Sequence, residues 1–336
     1  MISSLTAAGL LLAACGGGEG DGGDGDGDGD AGTTAGGTMV FGASADPVIL
    51  DGALVSDGES ARPLYQIFEG LVGTEEGGTE VVPALAESWE ASEDGLEWTF
   101  NLREGVTFHD GEPFNADAVC FNFDRWYNFT GVLQSPAASY YWQTVMGGYA
   151  NNEDPALAES LYVSCEAADE STAVITLSRP SSSFLAGLQQ PAFRIASPKA
   201  LEEGNADAVS GTGESPVYEG TFGYENPVGT GPFQFDSWER GNQLTLTRYE
   251  DYWGEPAQLD SLIFTVIPDG PARRQALEAG DIEGYDLVDP ADAGALEEAG
   301  FTILRRPAFN VGYIGFQQNA APFDNQQIRQ AIAYAI

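Results

Sequence analysis

Apolar residues recur along the chain in short runs, alternating in some and spaced for a helix in others. Thr38 to Ala43 reads as a first strand, followed by Asp46-Pro47. Between Ala61 and Val72, Leu64, Ile67, Phe68 and Leu71 fall at helical spacing and predict a helix. Ser88 to Ala91 and the strictly alternating Leu96 to Leu102 flank Asp94-Gly95, a strong two-residue turn signal, and predict a hairpin with Leu96, Trp98, Phe100 and Leu102 facing the core. A second turn follows at Asp110-Gly111, and Asn115 is placed to cap a helix running to about Trp126 with Val119, Phe123 and Trp126 on one face. Ala173 to Leu177 reads as a strand and Ser181 to Leu188 as a short helix. Phe233-Gln234-Phe235 and Leu244 to Thr247 form a hairpin around Arg240-Gly241-Asn242, and Leu262 to Ile267 a buried strand closed by Pro268. Helices are predicted over Pro271 to Ala279, with Gly280 behind it, over Asp292 to Ala299, and over Asn325 to Ile336; Val311 to Phe316 reads as a strand.

The N-terminus changes the picture from a plain globular chain to an exported one. Leu10-Leu11-Leu12-Ala13-Ala14-Cys15 is too short an apolar run to span a bilayer, and it reads as the end of a signal peptide with a lipobox. The small residues admit a peptidase, and the Cys15 thiol is the expected site of lipidation. The basic segment that should precede such a run is missing, so the true start is expected upstream of Met1. Gly16 to Gly37 is nearly all Gly, Asp, Thr and Ala, the composition of a flexible, self-repelling tether. Its Asp24-Gly25-Asp26-Gly27-Asp28 run imitates a calcium loop, but the twelfth position is Ala35 where a bidentate Glu is needed. At the other end the chain stops inside an apolar, helix-forming stretch with Ile328, Ala331, Ile332 and Ala335, from which a C-terminal truncation is expected.

Composition and charge narrow the partners. With 336 residues and 43 % of them hydrophobic, the chain can bury a large core and exceeds one ordinary domain. Fifty-two acidic residues against 13 basic ones give a net charge of −39, a surface that repels nucleic-acid phosphates and anionic headgroups. Acidity with a single lysine, Lys199, fits a protein that stays soluble in high salt, and fits a GC-rich genome with an acidic secretome equally well.

Enzyme chemistry finds no support. His109 is the one histidine and precedes a turn, which suits a hydrogen-bonding role better than a catalytic one. No Gly-x-Ser-x-Gly elbow, Walker A loop, zinc-type cysteine pair or His-Glu-x-x-His stands in the sequence, so no catalytic residue, metal site or cofactor is expected. With Cys15 lipidated, Cys120 and Cys165 remain, and in an oxidising compartment they are expected to form a disulfide. A loop of about 45 residues would gain on the order of 3–4 kcal/mol; two separate buried thiols are the alternative.

Four ordered blocks carry a family resemblance. Pro83 to Trp89 followed by SEDGLEWTFNLREGVTFHDGEPFNADAV (Ser92 to Val119), GTGPFQFDSWERGNQLTLTRYEDYWG (Gly229 to Gly254), FTVIPDGPARRQALEAGDIEGYDL (Phe264 to Leu287) and NVGYIGFQQNAAPFDNQQIRQAIAYAI (Asn310 to Ile336) resemble the extracellular solute-binding proteins of the peptide/nickel class of ABC transporters, the oligopeptide/dipeptide-binding family. The likeness runs from about Val40 to the last residue. It implies an α/β, two-lobed periplasmic-binding-protein-like fold with an extra small α/β domain, the second lobe largely missing. On that basis residues 1–14 are a signal peptide, 15–37 a tether, 38–65 and 191–305 two segments of lobe I, 66–190 the extra domain, and 306–336 the start of lobe II.

The resemblance also implies a role: binding a solute, most simply an extended peptide, and delivering it to an ABC permease and ATPase from the outer face of the membrane, as a lipid-anchored monomer. Ser56, Asp57 and Gly58 fall where peptide-binding relatives pair main chain with their ligand. Ala137, Tyr140 and Tyr141 fall on the extra domain that lines the pocket floor; some relatives have a tyrosine where this chain has Ala137, and Tyr140 to Trp142 read as core aromatics just as well. Asn310 and Tyr313 belong to the strand expected to cross at the hinge. The alternatives are another small solute (a nickel complex, an oligosaccharide, an opine) or a surface-tethered sensor with no transport role.

Overall fold

The computed structural model describes residues 36–75, 77–305 and 313–336. Two principal sheets share one hydrophobic core. The first has five strands in the order Phe233–Glu239, Gln243–Arg248, Ser261–Val266, Thr38–Ala43, Gly284–Tyr285. Its fourth strand, β1 (Thr38–Ala43), runs parallel to both neighbours, with Phe41 opposite Phe264 on one side and Gly284 on the other. The hairpin predicted around Arg240-Gly241-Asn242 supplies the antiparallel edge, and its alternation puts Leu244 and Leu246 in the core. The second sheet is wholly antiparallel, in the order Ala86–Ala91, Glu97–Leu102, Thr172–Leu177, Tyr162–Asp169.

The helix α2 (Ala116–Tyr127) lies against this second sheet. Asn115 caps it as predicted, its side chain accepting from the Ala118 N–H at 2.9 Å. Phe123 and Trp126 are fully buried among Tyr162, Trp142 and Phe193, with ring centroids 5.1–6.3 Å apart. Cys120 of α2 and Cys165 of the edge strand form the expected disulfide, with their Cα atoms 5.1 Å apart. The hairpin at Asp94-Gly95 is present, but only Phe100 and Leu102 of its alternating face are buried. Leu96 and Trp98 are half-buried because they stand beside the open turn, and Trp98 packs on Phe184 at the sheet's rim.

Three sequence expectations need correction. The helix α1 occupies Gly58–Ile67, not Ala61 to Val72. Asp57 starts it, and beyond Phe68 the chain turns extended because Glu69-Gly70 pairs with Arg194–Ile195 and Val72–Thr74 with Val81–Pro83. Tertiary pairing there overrides a helical spacing that is real in the sequence. The short helix expected over Ser181 to Leu188 is confined to Phe184–Gly187. Of the strand expected over Val311 to Phe316, Val311 and Gly312 lie outside the described residues, and Tyr313 to Phe316 form no strand, since no described strand pairs with them. The helix Gln326–Ala335 is present and capped by Asn325, and it buries none of its residues. No described helix is long and apolar enough to cross a membrane.

Candidate functional site

The sequence-predicted Ser56-Asp57-Gly58 leaves the core where a short 3-10 turn, Gly52–Leu54, gives way to α1. The turn is buried and rigidly seated. A Cβ on Gly52 would lie 2.2 Å from the Pro191 carbonyl, so only glycine lets the two backbones meet. Asp51 closes the turn by accepting from the Ala53 N–H at 3.1 Å. After it, Val55 (φ −133°, ψ 157°) and Asp57 (φ −105°, ψ 156°) are extended. The N–H groups of Val55, Ser56 and Asp57 have no hydrogen-bond partner among the described residues. Ser56 and Gly58 are exposed.

Asp57 does double duty at this edge. Its carboxylate accepts from the Ser60 N–H at 2.8 Å and its carbonyl from the Ala61 N–H at 3.1 Å, which start α1, while its own N–H has no partner among the described residues. Gly58 carries no fold requirement: a Cβ there would meet nothing within 4 Å, and its φ lies outside the left-handed region. Its lack of a side chain keeps the approach to the edge clear.

Aromatic side chains flank the edge. Helix α3 (Pro136–Met146) packs on the Gly52–Leu54 turn, and its Tyr141 hydroxyl reaches the Ser56 carbonyl at 3.5 Å. Tyr140 and Tyr141 meet edge to face at 5.4 Å. Burial, then the Tyr65 and Tyr140 phenols and the Asp57 carboxylate, raise the Tyr141 phenol above its ordinary pKa. Tyr140 and Tyr65 are 47 % and 41 % exposed. The half-buried Arg194 guanidinium stacks 4.3 Å from the Tyr65 ring and holds it in place. Trp142, by contrast, is buried and bonded to the Gly148 carbonyl, a core aromatic.

Of the residues singled out in the sequence, Ser56, Asp57, Gly58, Tyr140 and Tyr141 therefore come together. Ala137 is exposed in the first turn of α3, with no measured contact to the edge. Tyr313 is 86 % exposed in a segment outside the described strands and helices, and Asn310 and Cys15 lie outside the described residues. Tyr65 escaped the sequence reading, although the signal was available: it is an aromatic on the polar face of an amphipathic helix whose buried face is Ser60, Pro63, Leu64 and Ile67. His109 is a structural residue. Its Nδ1 accepts from the Gly229 N–H at 3.4 Å and its Nε2 bonds the Gly231 carbonyl at 2.9 Å. No group of three or more described His, Cys, Asp or Glu residues is arranged to hold a metal.

Comparison with known proteins agrees with this architecture. The sequence profile described as "Bacterial extracellular solute-binding proteins, family 5 Middle" matches residues 80–336. The chain is 33 % identical over 311 residues to the dipeptide-binding protein of Escherichia coli, covering 89 % of this chain and 54 % of that one. It is 32 % identical over 341 residues to heme-binding protein A of Haemophilus influenzae, covering 99 % and 59 %. It also superposes on the periplasmic binding protein DppA of Helicobacter pylori, solved with the peptide STSA, at a TM-score of 0.65 and 33 % identity, over 79 % of this chain and 49 % of that one. The chain thus spans about half the length of the relatives it matches. Its profile match, its relatives and its two-sheet fold make it a member of the bacterial extracellular solute-binding proteins of family 5.

Proposed function

We propose that the chain is the solute-receiving part of a lipid-anchored, extracytoplasmic receptor that hands peptides to an ABC importer. The observation that carries this reading is the extended backbone that leaves the core at Val55 and emerges at the exposed Ser56, with the N–H groups of Val55, Ser56 and Asp57 unpaired among the described residues and with Tyr65, Tyr140 and Tyr141 nearby. An extended peptide can pair with such an edge through main-chain hydrogen bonds, which give affinity without reading sequence, while aromatic faces accept varied side chains. The names of the E. coli and H. pylori relatives support a peptide. The name of the H. influenzae relative supports a second class of solute for the same family, heme, and makes it the alternative ligand to test.

The remaining parts of the reading rest on sequence. Cys15 is the lipid anchor, a permease and ATPase are the partners, the receptor works as a monomer, and it performs no chemistry on its ligand. Residues 38–65 and 191–305 form one lobe, 66–190 the accessory domain, and 306–336 the opening of the second lobe, which brings Asn310 and Tyr313 toward the ligand. The test is calorimetry on the protein at the full length its own cell makes, against a mixed library of di- to pentapeptides and against heme. Saturable peptide binding in the micromolar range or tighter is expected; heme binding without peptide binding would transfer the site to the second reading, and binding of neither would overturn both.

A further inference from the structure

The edge that receives the ligand is itself held by a buried ionic bolt, and we infer that Arg125 and Tyr218 are positioning residues for solute binding. This rests on the peptide-edge reading above. Arg125 projects from α2, a helix fixed to the second sheet by the Cys120–Cys165 disulfide and to the Ala196 carbonyl by the Asn122 amide at 2.9 Å. Its Nη2 donates to Asp51 at 2.6 Å and its Nε to Asp207 at 2.8 Å, and the side chains of Arg125 and Asp51 are each only 5 % exposed. Burial opposes the charge on Arg125, but the Asp51 and Asp207 carboxylates outweigh it and hold the guanidinium above its ordinary pKa.

Asp51 is what makes this bolt more than packing. One carboxylate oxygen receives Arg125, and the other receives the Ala53 N–H that closes the Gly52–Leu54 turn. The Tyr218 hydroxyl, on the hairpin Val209–Thr212 and Ser215–Tyr218, donates to the Leu54 carbonyl at 3.2 Å. The residue immediately after this doubly held turn is Val55, still buried, and the next, Ser56, is exposed. Neither Arg125 nor Tyr218 belongs to the exposed patch; both fix the direction in which Val55 to Gly58 leave the core. An edge already held in its bound conformation loses less freedom when a ligand docks, and that difference appears as affinity.

Three variants in the full-length protein test the inference: Tyr218→Phe, which removes one hydroxyl; Arg125→Lys, which keeps the charge but cannot reach both carboxylates as a fork; and Arg125→Met. Peptide affinity and the hydrogen exchange of the Ala53 and Leu54 amides are the readouts. Each variant is expected to weaken peptide binding about tenfold and to speed exchange at Ala53 and Leu54 while strand Ser261–Val266 stays protected, with Lys closer to wild type than Met. A bolt that served stability alone would lower the unfolding temperature and leave affinity and those two amides unchanged, and that result overturns the inference. Where an Arg125 variant fails to fold, Tyr218→Phe decides by the same two readouts. A wild-type protein that binds no peptide refutes the proposed ligand instead, and exchange at Ala53 and Leu54 still reads whether the bolt holds the turn.

Discussion

The Trp253 indole N–H donates to the Glu69 carboxylate at 2.8 Å across 184 residues of sequence. The same carboxylate also receives the Tyr252 hydroxyl and the Thr230 hydroxyl, each at 2.9 Å. Burial raises the Glu69 pKa in spite of these three donors. Glu69 thus ties the end of the α1 segment to the Gly229–Gly254 block, which the sequence marks as characteristic of the family but does not explain.

Glu69→Leu is accordingly expected to destabilise the fold by about 3 kcal/mol or more, because it strands three donors in a half-buried site. Glu69→Gln, which keeps two acceptor lone pairs and the shape, should cost about half as much. Urea unfolding followed by tryptophan fluorescence measures both, and equal midpoints for wild type and Glu69→Leu would show that water replaces the carboxylate.

The disulfide carries a second expectation. Cys120 sits on α2 and Cys165 on the sheet edge that α2 covers, and the bridge closes a 45-residue separation. Replacing both cysteines by alanine should lose about 3–4 kcal/mol, chiefly by freeing the unfolded chain. Unfolding midpoints of wild type under oxidising and reducing conditions, compared with the double variant, check this: reduction should move the wild type to the variant's midpoint and leave the variant unmoved.

His109 predicts a pH dependence of definite sign. Burial lowers its pKa from 6.5 to about 4, although the bond to the Gly231 carbonyl and the Asp110 charge oppose the shift. The unfolded chain therefore binds a proton between pH 6.5 and about 4 that the folded chain refuses. The stability linked to this group is fully present above pH 6.5 and is lost as pH falls toward 4, about 3 kcal/mol in all. His109→Gln, which can still accept from Gly229 and donate to Gly231, should remove this part of the pH slope. Because the chain carries 52 acidic residues besides His109, the difference between wild type and variant is the diagnostic quantity, measured by urea unfolding at pH 7.5 and 5. Parallel slopes would show that the folded chain takes up the His109 proton as readily as the unfolded one.

Where sequence and structure agree, the determinant is local. Asn115 caps α2 because its side chain reaches an N–H three residues on, and Asp94-Gly95 turns a hairpin through backbone preferences of its own two residues. Where they part, the determinant is a distant partner. Leu71 sits at helical spacing yet lies outside α1, because its carbonyl accepts from the Ala86 N–H and the next residue, Val72, pairs with Pro83. The disulfide was legible because, with Cys15 set aside as the expected lipidation site, Cys120 and Cys165 leave one pairing. The Asp51–Arg125 pair was not, since nothing local tells Arg125 which of so many carboxylates it will meet. The candidate edge was visible at Ser56 to Gly58 through family likeness alone; its openness follows from main-chain groups left unpaired, a property no side-chain pattern encodes.

Gly58 separates a ligand role from a fold role. It stands at the first position of α1, its φ is one that any residue adopts, and a Cβ there meets open space. Gly58→Val should therefore leave the unfolding midpoint unchanged or raise it slightly, since the variant loses less backbone freedom on folding than glycine does. A peptide pairing with the Ser56 and Asp57 N–H groups must approach within about 3 Å of the backbone, and an isopropyl group beside that path obstructs it. Peptide affinity is expected to fall about tenfold or more, equivalent to at least ~1.4 kcal/mol, with stability intact. Calorimetry and thermal unfolding on the same full-length preparation decide the matter. Undiminished affinity in a stably folded Gly58→Val protein would place the ligand elsewhere than the Val55 to Gly58 edge, and a fall in both would return Gly58 to the fold.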